Sequence, residues 1–218
     1  IIEKKYIKKF IMASTPEVYG TTKKNLNENN NYNPSTPYAA SKLAGDLHLM
    51  TLFKKYRFPV MFTRSANVYG PCQQLYRIIP KSIILLKKNK KITLHSMGKT
   101  ERSFIHIKDV VEATYKVMNY GRLGETYHIS RVGKEISILN LIQLICKIMQ
   151  KDYKKNINLT NEHFSQDKIY SLSSKLIRNN LKWNDKYELE NGVIEVMNWI
   201  EDNWAIISRM SHEYVHKK

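Results

Sequence analysis

Short apolar runs and apolar repeats of three or four residues take turns along this 218-residue chain. Phe10-Ile11-Met12-Ala13 is an apolar run that ends in Ser14-Thr15, the pattern of a buried parallel strand delivering polar side chains at its carboxyl end. Thr21 to Asn33 is polar and asparagine-rich and reads as a loop. Pro37 then opens a helix to about Tyr56, with Ser35 or Thr36 as N-cap and Leu43, Leu47, Met50 and Phe53 at three- and four-residue spacing. Pro59-Val60-Met61-Phe62-Thr63 predicts the next strand. It delivers Arg64, Ser65 and Asn67 at its carboxyl end, where an open α/β sheet places ligand contacts.

Further on, the pattern predicts a loop over Gln73 to Arg77, a helix over Ile78 to Leu86 and a short strand from Ile92 to His95. A strand over Ser103 to Ile107 leads to a helix from Val110 to Met118 with Asp109 as N-cap. Glu125 to Ile129 reads as a strand, and Ser137 caps an amphipathic helix from Ile138 to Met149. Leu176, Leu181, Trp183, Val193, Val196, Trp199 and Ile200 supply the apolar positions of closing helices, and the lysine-ended tail after Trp204 reads as frayed.

The chemistry concentrates at Tyr38 and Lys42. Four residues apart, they share one helix face. A cation held beside a phenol favours the phenolate, which suits the pair to proton exchange with a sugar or alcohol hydroxyl. A hydroxyl from Ser14 or Thr15 would hydrogen-bond the same substrate oxygen. The spacing alone also fits a solvated helix face; the preceding strand that ends in two hydroxyls is what separates the two readings.

Phe-Ile-Met-Ala-Ser-Thr-Pro-Glu-Val-Tyr-Gly, Ser-Thr-Pro-Tyr-Ala-Ala-Ser-Lys, Asn67-Val68-Tyr69-Gly70-Pro71 and Arg102-Ser103-Phe104-Ile105-His106-Ile107-Lys108-Asp109 occur in that order. Together they resemble the extended short-chain dehydrogenase/reductase family, and within it the NAD-dependent nucleotide-sugar epimerases and dehydratases, above all the dTDP-glucose 4,6-dehydratases. The resemblance implies an α/β fold: the C-terminal part of a Rossmann-type doubly wound parallel sheet with a smaller α/β substrate-binding domain. Residues 1–70 would be the NAD-binding part and 71–205 mainly the nucleotide-sugar-binding domain, with segments returning to the sheet and a tail over 206–218. A dinucleotide-binding unit needs a glycine-rich turn for the pyrophosphate, and no G-x-G-x-x-G occurs here. The expectation is therefore an N-terminally truncated sequence.

The resemblance further implies catalytic roles for Thr15, Glu17, Tyr38 and Lys42, with Tyr38 taking the C4 hydroxyl proton and Glu17 the C5 proton. Ser14, Tyr38, Lys42 and Ser65 would face NAD. Asn67, Arg77 and Arg102 would hold the sugar-nucleotide diphosphate, and His95 would lie against the base. No metal is implied. Two departures stand out. Pro16 replaces the aspartate that protonates the leaving hydroxyl in dTDP-glucose dehydratases, and His163, Gln166 and Asp167 replace an arginine and a histidine-aspartate pair. The reactions left open are 4,6-dehydration, UDP-glucuronate-type decarboxylation or 4-epimerisation, and sugar-nucleotide binding without turnover.

Composition narrows the picture. The chain is 42% hydrophobic, enough for a core, and holds no apolar run near the ~20 residues of a membrane span. Cys72 and Cys146 have no zinc or disulfide spacing. The net charge of +17 is spread over Lys4-Lys5, Lys23-Lys24, Lys87-Lys88, Lys90-Lys91 and Lys154-Lys155 without an aromatic stripe, which reads as a solvated basic surface and not a nucleic-acid site. A cytoplasmic enzyme, homodimeric by family resemblance, acting on a nucleotide-diphosphate sugar is the expectation.

Overall fold

The computed structural model describes residues 6–21, 25–29, 31–133, 135–161 and 171–214. Strand β1 (Phe10–Ala13) leads through a 3-10 turn (Pro16–Tyr19) to helix α1 (Pro37–Tyr56), then β2 (Val60–Ser65) and β3 (Asn67–Tyr69). Next come α2 (Ile78–Lys87), β4 (Ile92–Leu94), β5 (Glu101–Arg102), β6 (Phe104–His106), α3 (Ile107–Tyr120) and β7 (Thr126–Ile129). The chain continues with β8 (Ile136–Ser137), α4 (Ile138–Ile148), α5 (Tyr153–Asn156), β9 (Ile157–Leu159), α6 (Lys175–Leu181), α7 (Leu189–Asp202) and α8 (Trp204–Ile207). Two compact units result: one comprises residues 1–68, 102–135 and 167–186, the other 69–101, 136–166 and 187–218.

The first unit is built on a parallel sheet in the order β1-β2-β7, with Met12 opposite Phe62 and Thr63 opposite Tyr127. Side chains alternate across a strand, and β2 uses both faces. Val60 and Phe62 join Phe10, Met12 and the α1 residues Leu49, Met50, Leu52 and Phe53 on one side. Met61 joins Ile11, Tyr127, Ile129, the α3 residues Ala113 and Val117, and Trp183 on the other. A sheet buried on both faces explains why these strands read as unbroken apolar runs.

Helix α1 starts where its sequence requires. Thr36 is the N-cap, its side chain accepting from Ala39 N at 3.1 Å, and Pro37 fills the first helical position. Leu47, expected on the apolar stripe, is 50% exposed; Leu49 and Leu52 take the packed positions instead. Asp109 is not the N-cap of α3. The helix begins two residues earlier, with the His106 ring accepting from Lys108 N, while Asp109 is buried in the first turn and accepts from Lys186 N at 2.9 Å.

The second unit packs α2, α4 and α7 around Ile83, Leu141, Ile145, Val193 and Val196, with β4 and β9 paired in parallel. Cys146 lies in this core, and Cys72 is exposed. Ser137 caps α4, accepting from Asn140 N. The chain after Trp204 is ordered through α8, because Ile207 is buried.

Candidate active site

The carboxyl end of β1 carries the predicted hydroxyls. Ser14 is half-buried and its Oγ donates to Asp46 Oδ2 on α1. Thr15 is buried and caps the 3-10 turn, its Oγ1 accepting from Glu17 N at 3.3 Å; that role leaves its hydroxyl proton to be donated. Pro16 takes the first position of the turn, where a missing N–H costs nothing. Glu17 follows, half-buried.

Helix α1 presents Tyr38, Lys42 and Asp46 at successive four-residue steps on one face. Lys42 Nζ donates to the Ala13 carbonyl at 2.7 Å, one residue before Ser14. Tyr38 is 54% exposed, on the first turn of the helix that packs against the 3-10 turn. Ser14, Thr15, Glu17 and Lys42 therefore lie at the corner between β1 and α1, and Tyr38 stands one turn before Lys42 on the helix. Ser65 ends the neighbouring strand β2, on the α3 face and half-buried.

Beneath this corner lies a polar network. Arg64 is 1% exposed and pairs with Asp46, itself 3% exposed, at 2.9 Å. The Arg64 guanidinium also sits 4.8 Å from the Tyr19 ring centre and 5.1 Å from that of Tyr32, and it donates to the Tyr19 hydroxyl. It is thus committed inside the protein, not presented to a ligand as its strand-end position suggested. Tyr19 Oη lies 2.9 Å from His128 Nε2, and His128 Nδ1 lies 3.3 Å from the Leu26 carbonyl. Burial, helped by the Arg64 charge, lowers the His128 pKa to about 3. The ring is neutral at ordinary pH, and a carbonyl only accepts, so the proton is on Nδ1 and Nε2 accepts from Tyr19. The Tyr19 oxygen is left to accept from Arg64, and burial pushes its phenol up. Glu28 accepts from His128 N at 2.9 Å, its carboxyl also pushed up by burial. A cleft of about 530 Å³ beside this network is lined by Tyr32, Asp46, Met50, Phe62, Arg64 and Thr126, further along α1 than Tyr38 and Lys42.

The expected substrate residues are more dispersed. Asn67 is exposed and its Nδ2 donates to the Ser103 carbonyl at 3.2 Å. Arg102 is half-buried in β5. Arg77 and His95 belong to the second unit and are exposed, Arg77 stacking on the Tyr76 ring and His95 Nδ1 lying 3.2 Å from Thr160 Oγ1. His163, Gln166 and Asp167 lie outside the described residues. Among the described residues, no cluster of three or more His, Cys, Asp or Glu side chains is arranged for a metal.

The model of the NAD-dependent epimerase/dehydratase family matches residues 1–133. The chain belongs to this family. Human dTDP-D-glucose 4,6-dehydratase is 36% identical over 204 residues, 91% of this chain and 58% of the human protein. The epimerase/dehydratase chain also superposes on the crystal structure of dTDP-glucose 4,6-dehydratase from Bacillus anthracis in complex with NAD. There the TM-score is 0.83 at 30% identity, covering 91% of this chain and 63% of that one. UDP-glucuronic acid 4-epimerase from Bacillus cereus, in complex with UDP-glucuronic acid and NAD, gives 0.83 at 26%, over 92% and 65%. The fold expected from the motifs is the fold found, and the chain spans about 58% of the human relative's length.

Proposed function

We propose that this chain is the catalytic portion of an NAD-dependent nucleotide-sugar 4,6-dehydratase of the dTDP-glucose type, forming a 4-keto-6-deoxy sugar nucleotide. The observation that carries the reading is the bond from Lys42 Nζ to the Ala13 carbonyl. It fastens the start of α1, which bears Tyr38 and Lys42, to the end of β1, which leads into Ser14, Thr15 and the 3-10 turn that holds Glu17.

Tyr38, with Lys42 beside it and Thr15 donating to the same oxygen, takes the proton of the sugar C4 hydroxyl. Glu17 then removes the C5 proton, acidified by the adjacent ketone, and passes it to the C6 hydroxyl, which leaves as water; C5 takes a proton back from solvent when the hydride returns to C6. NAD, when bound, would supply the acceptor and later the donor of the hydride. Ser14, Ser65 and the Tyr38–Lys42 pair are assigned to that cofactor, whereas the sequence has no glycine-rich turn for its pyrophosphate. Asn67, Arg77 and Arg102 are assigned to the sugar-nucleotide diphosphate and His95 to its base.

Decarboxylation of a UDP-glucuronate-type substrate is the second reading, and Pro16 favours it. That side chain cannot protonate a leaving hydroxyl, and loss of carbon dioxide needs no such acid. The protein supplied with NAD is to be incubated with dTDP-glucose, UDP-glucose and UDP-glucuronate in separate reactions. A 4-keto-6-deoxy product supports the proposal, carbon dioxide release supports the alternative, and binding without turnover defeats both. A cytoplasmic homodimer is inferred with the function, with the exposed Leu47 on α1 as a candidate contact.

A further inference from the structure

We propose that the buried Arg64–Asp46 pair is a positioning unit: it sets the register of α1 against the ends of β1 and β2 and so places Lys42 and Tyr38 opposite Thr15 and Glu17. The inference rests on the catalytic reading of that corner for its consequence in rate, though not for its geometry.

Three elements meet on one carboxylate. Ser14, from the end of β1, and Arg64, from β2, both donate to Asp46 Oδ2. One helical turn earlier, Lys42 donates to Ala13. Two consecutive strand residues, 13 and 14, are thus held by two helix residues one turn apart. This fixes both the height and the rotation of the helix. Tyr38 stands one further turn up the same face.

Arg64 is itself held from several sides, by the Tyr19 and Tyr32 rings and by the Tyr19 hydroxyl, which His128 orients. Stability is a poor reason for such an arrangement, since a buried ion pair exchanged as a whole for apolar side chains of similar volume is commonly neutral or stabilising. Geometry is a better one. A displacement of about 1 Å between reacting groups costs on the order of 100-fold in rate.

The test replaces the pair as a unit, Asp46→Leu with Arg64→Met, alongside Ser14→Ala, which removes only the bond from β1. Lys54→Gln, on an exposed turn of the same helix, is the control. The first readout needs neither cofactor nor turnover: the 15N signal of the Lys42 ammonium, whose proton exchange is slowed by its bond to Ala13. Both test variants are expected to lose or broaden that signal at an unchanged urea midpoint, and the control to keep it. The second readout is a fall in kcat of roughly 100-fold with KM within about threefold.

A Lys42 signal equal to wild type in folded test variants overturns the positioning role, whatever the turnover. Loss of the signal in a protein that turns over none of the three sugars leaves the positioning in place and removes the proposed function instead. Should the double variant not fold, Ser14→Ala carries the same two outcomes.

Discussion

At the scale of single residues, His128 ties the pH to the fold. Its ring is fully buried and its folded pKa is held at about 3, against about 6.5 in an unfolded chain. Between those values the unfolded state binds a proton that the folded state does not. Stability is therefore complete above the unfolded value and is lost as the pH falls, by about 1.4 kcal/mol per pH unit for this one group. Glu28 acts in the opposite sense, because its raised folded pKa means that the folded state binds a proton first. Urea unfolding at pH 7.5, 6.5, 5.5 and 5 should show the decline below 6.5, and His128→Asn should flatten it. An undiminished slope in the variant would assign the acid sensitivity to other groups. The residues proposed as catalytic act at the same scale. Tyr38→Phe is expected to abolish oxidation at C4, and Glu17→Gln to allow that oxidation while blocking elimination, as deuterium exchange at C5 would report. Full activity in both variants would remove the proposed mechanism.

At the scale of elements, capping and close approach decide where things begin and end. Thr36→Ala removes the acceptor for Ala39 N and is expected to cost about 1 kcal/mol in urea unfolding, because the N-cap bond has no replacement there. Gly124, with φ of +82°, lies so close to Phe53 that an added Cβ would stand 2.2 Å from the ring. Gly124→Ala should therefore cost more than Thr36→Ala, through both backbone strain and displacement of Phe53 from its contacts with α1's strand-facing neighbours. A smaller loss at 124 than at 36 would contradict the packing.

The same distinction between local and distant causes explains what the sequence disclosed. Pro37, the caps at Thr36 and Ser137, and the run Phe10 to Ala13 are local signals, and those elements stand where the pattern put them. Asp46 and Arg64 were invisible as a pair. An aspartate four residues after a lysine looks like an exposed helix face, and its partner lies 18 positions away on a strand. The one clue was a charge at the end of the apolar run Val60 to Thr63. Asp109 misled for a related reason, since its carboxylate accepts from the backbone N–H of Lys186, 77 residues on. Topology was hidden as well. Both connections step the same way across β1-β2-β7, yet α1 and α3 pack on opposite faces of the sheet. No local pattern encodes that.

At the scale of the whole molecule, charge dominates. Lys and Arg number 36 against 19 Asp and Glu, leaving +17. The parallel pairing of Ile92 with Ile157 brings part of it to one end of the β4–β9 pair, where Lys90-Lys91 lead into β4 and Lys154-Lys155 sit in α5, just ahead of β9. Such an excess destabilises a compact state by self-repulsion. The exposed pairs Lys81–Glu213, Lys87–Glu201 and Lys186–Glu112 offer little in return, each worth at most about 1 kcal/mol. Salt shortens the reach of charge to about 10 Å at 0.1 M, so it should relieve more repulsion than it costs in attraction. Thermal midpoints are expected to rise between 20 and 300 mM sodium chloride. On the proposed function the same field would draw in the substrate's diphosphate, so KM for the sugar nucleotide is expected to rise over the same range while kcat stays level. The two trends have one origin and opposite signs for stability and for binding. A midpoint that falls with salt would show that the ion pairs outweigh the repulsion, and a KM indifferent to salt would confine recognition of the diphosphate to close contacts such as those proposed for Arg77 and Arg102.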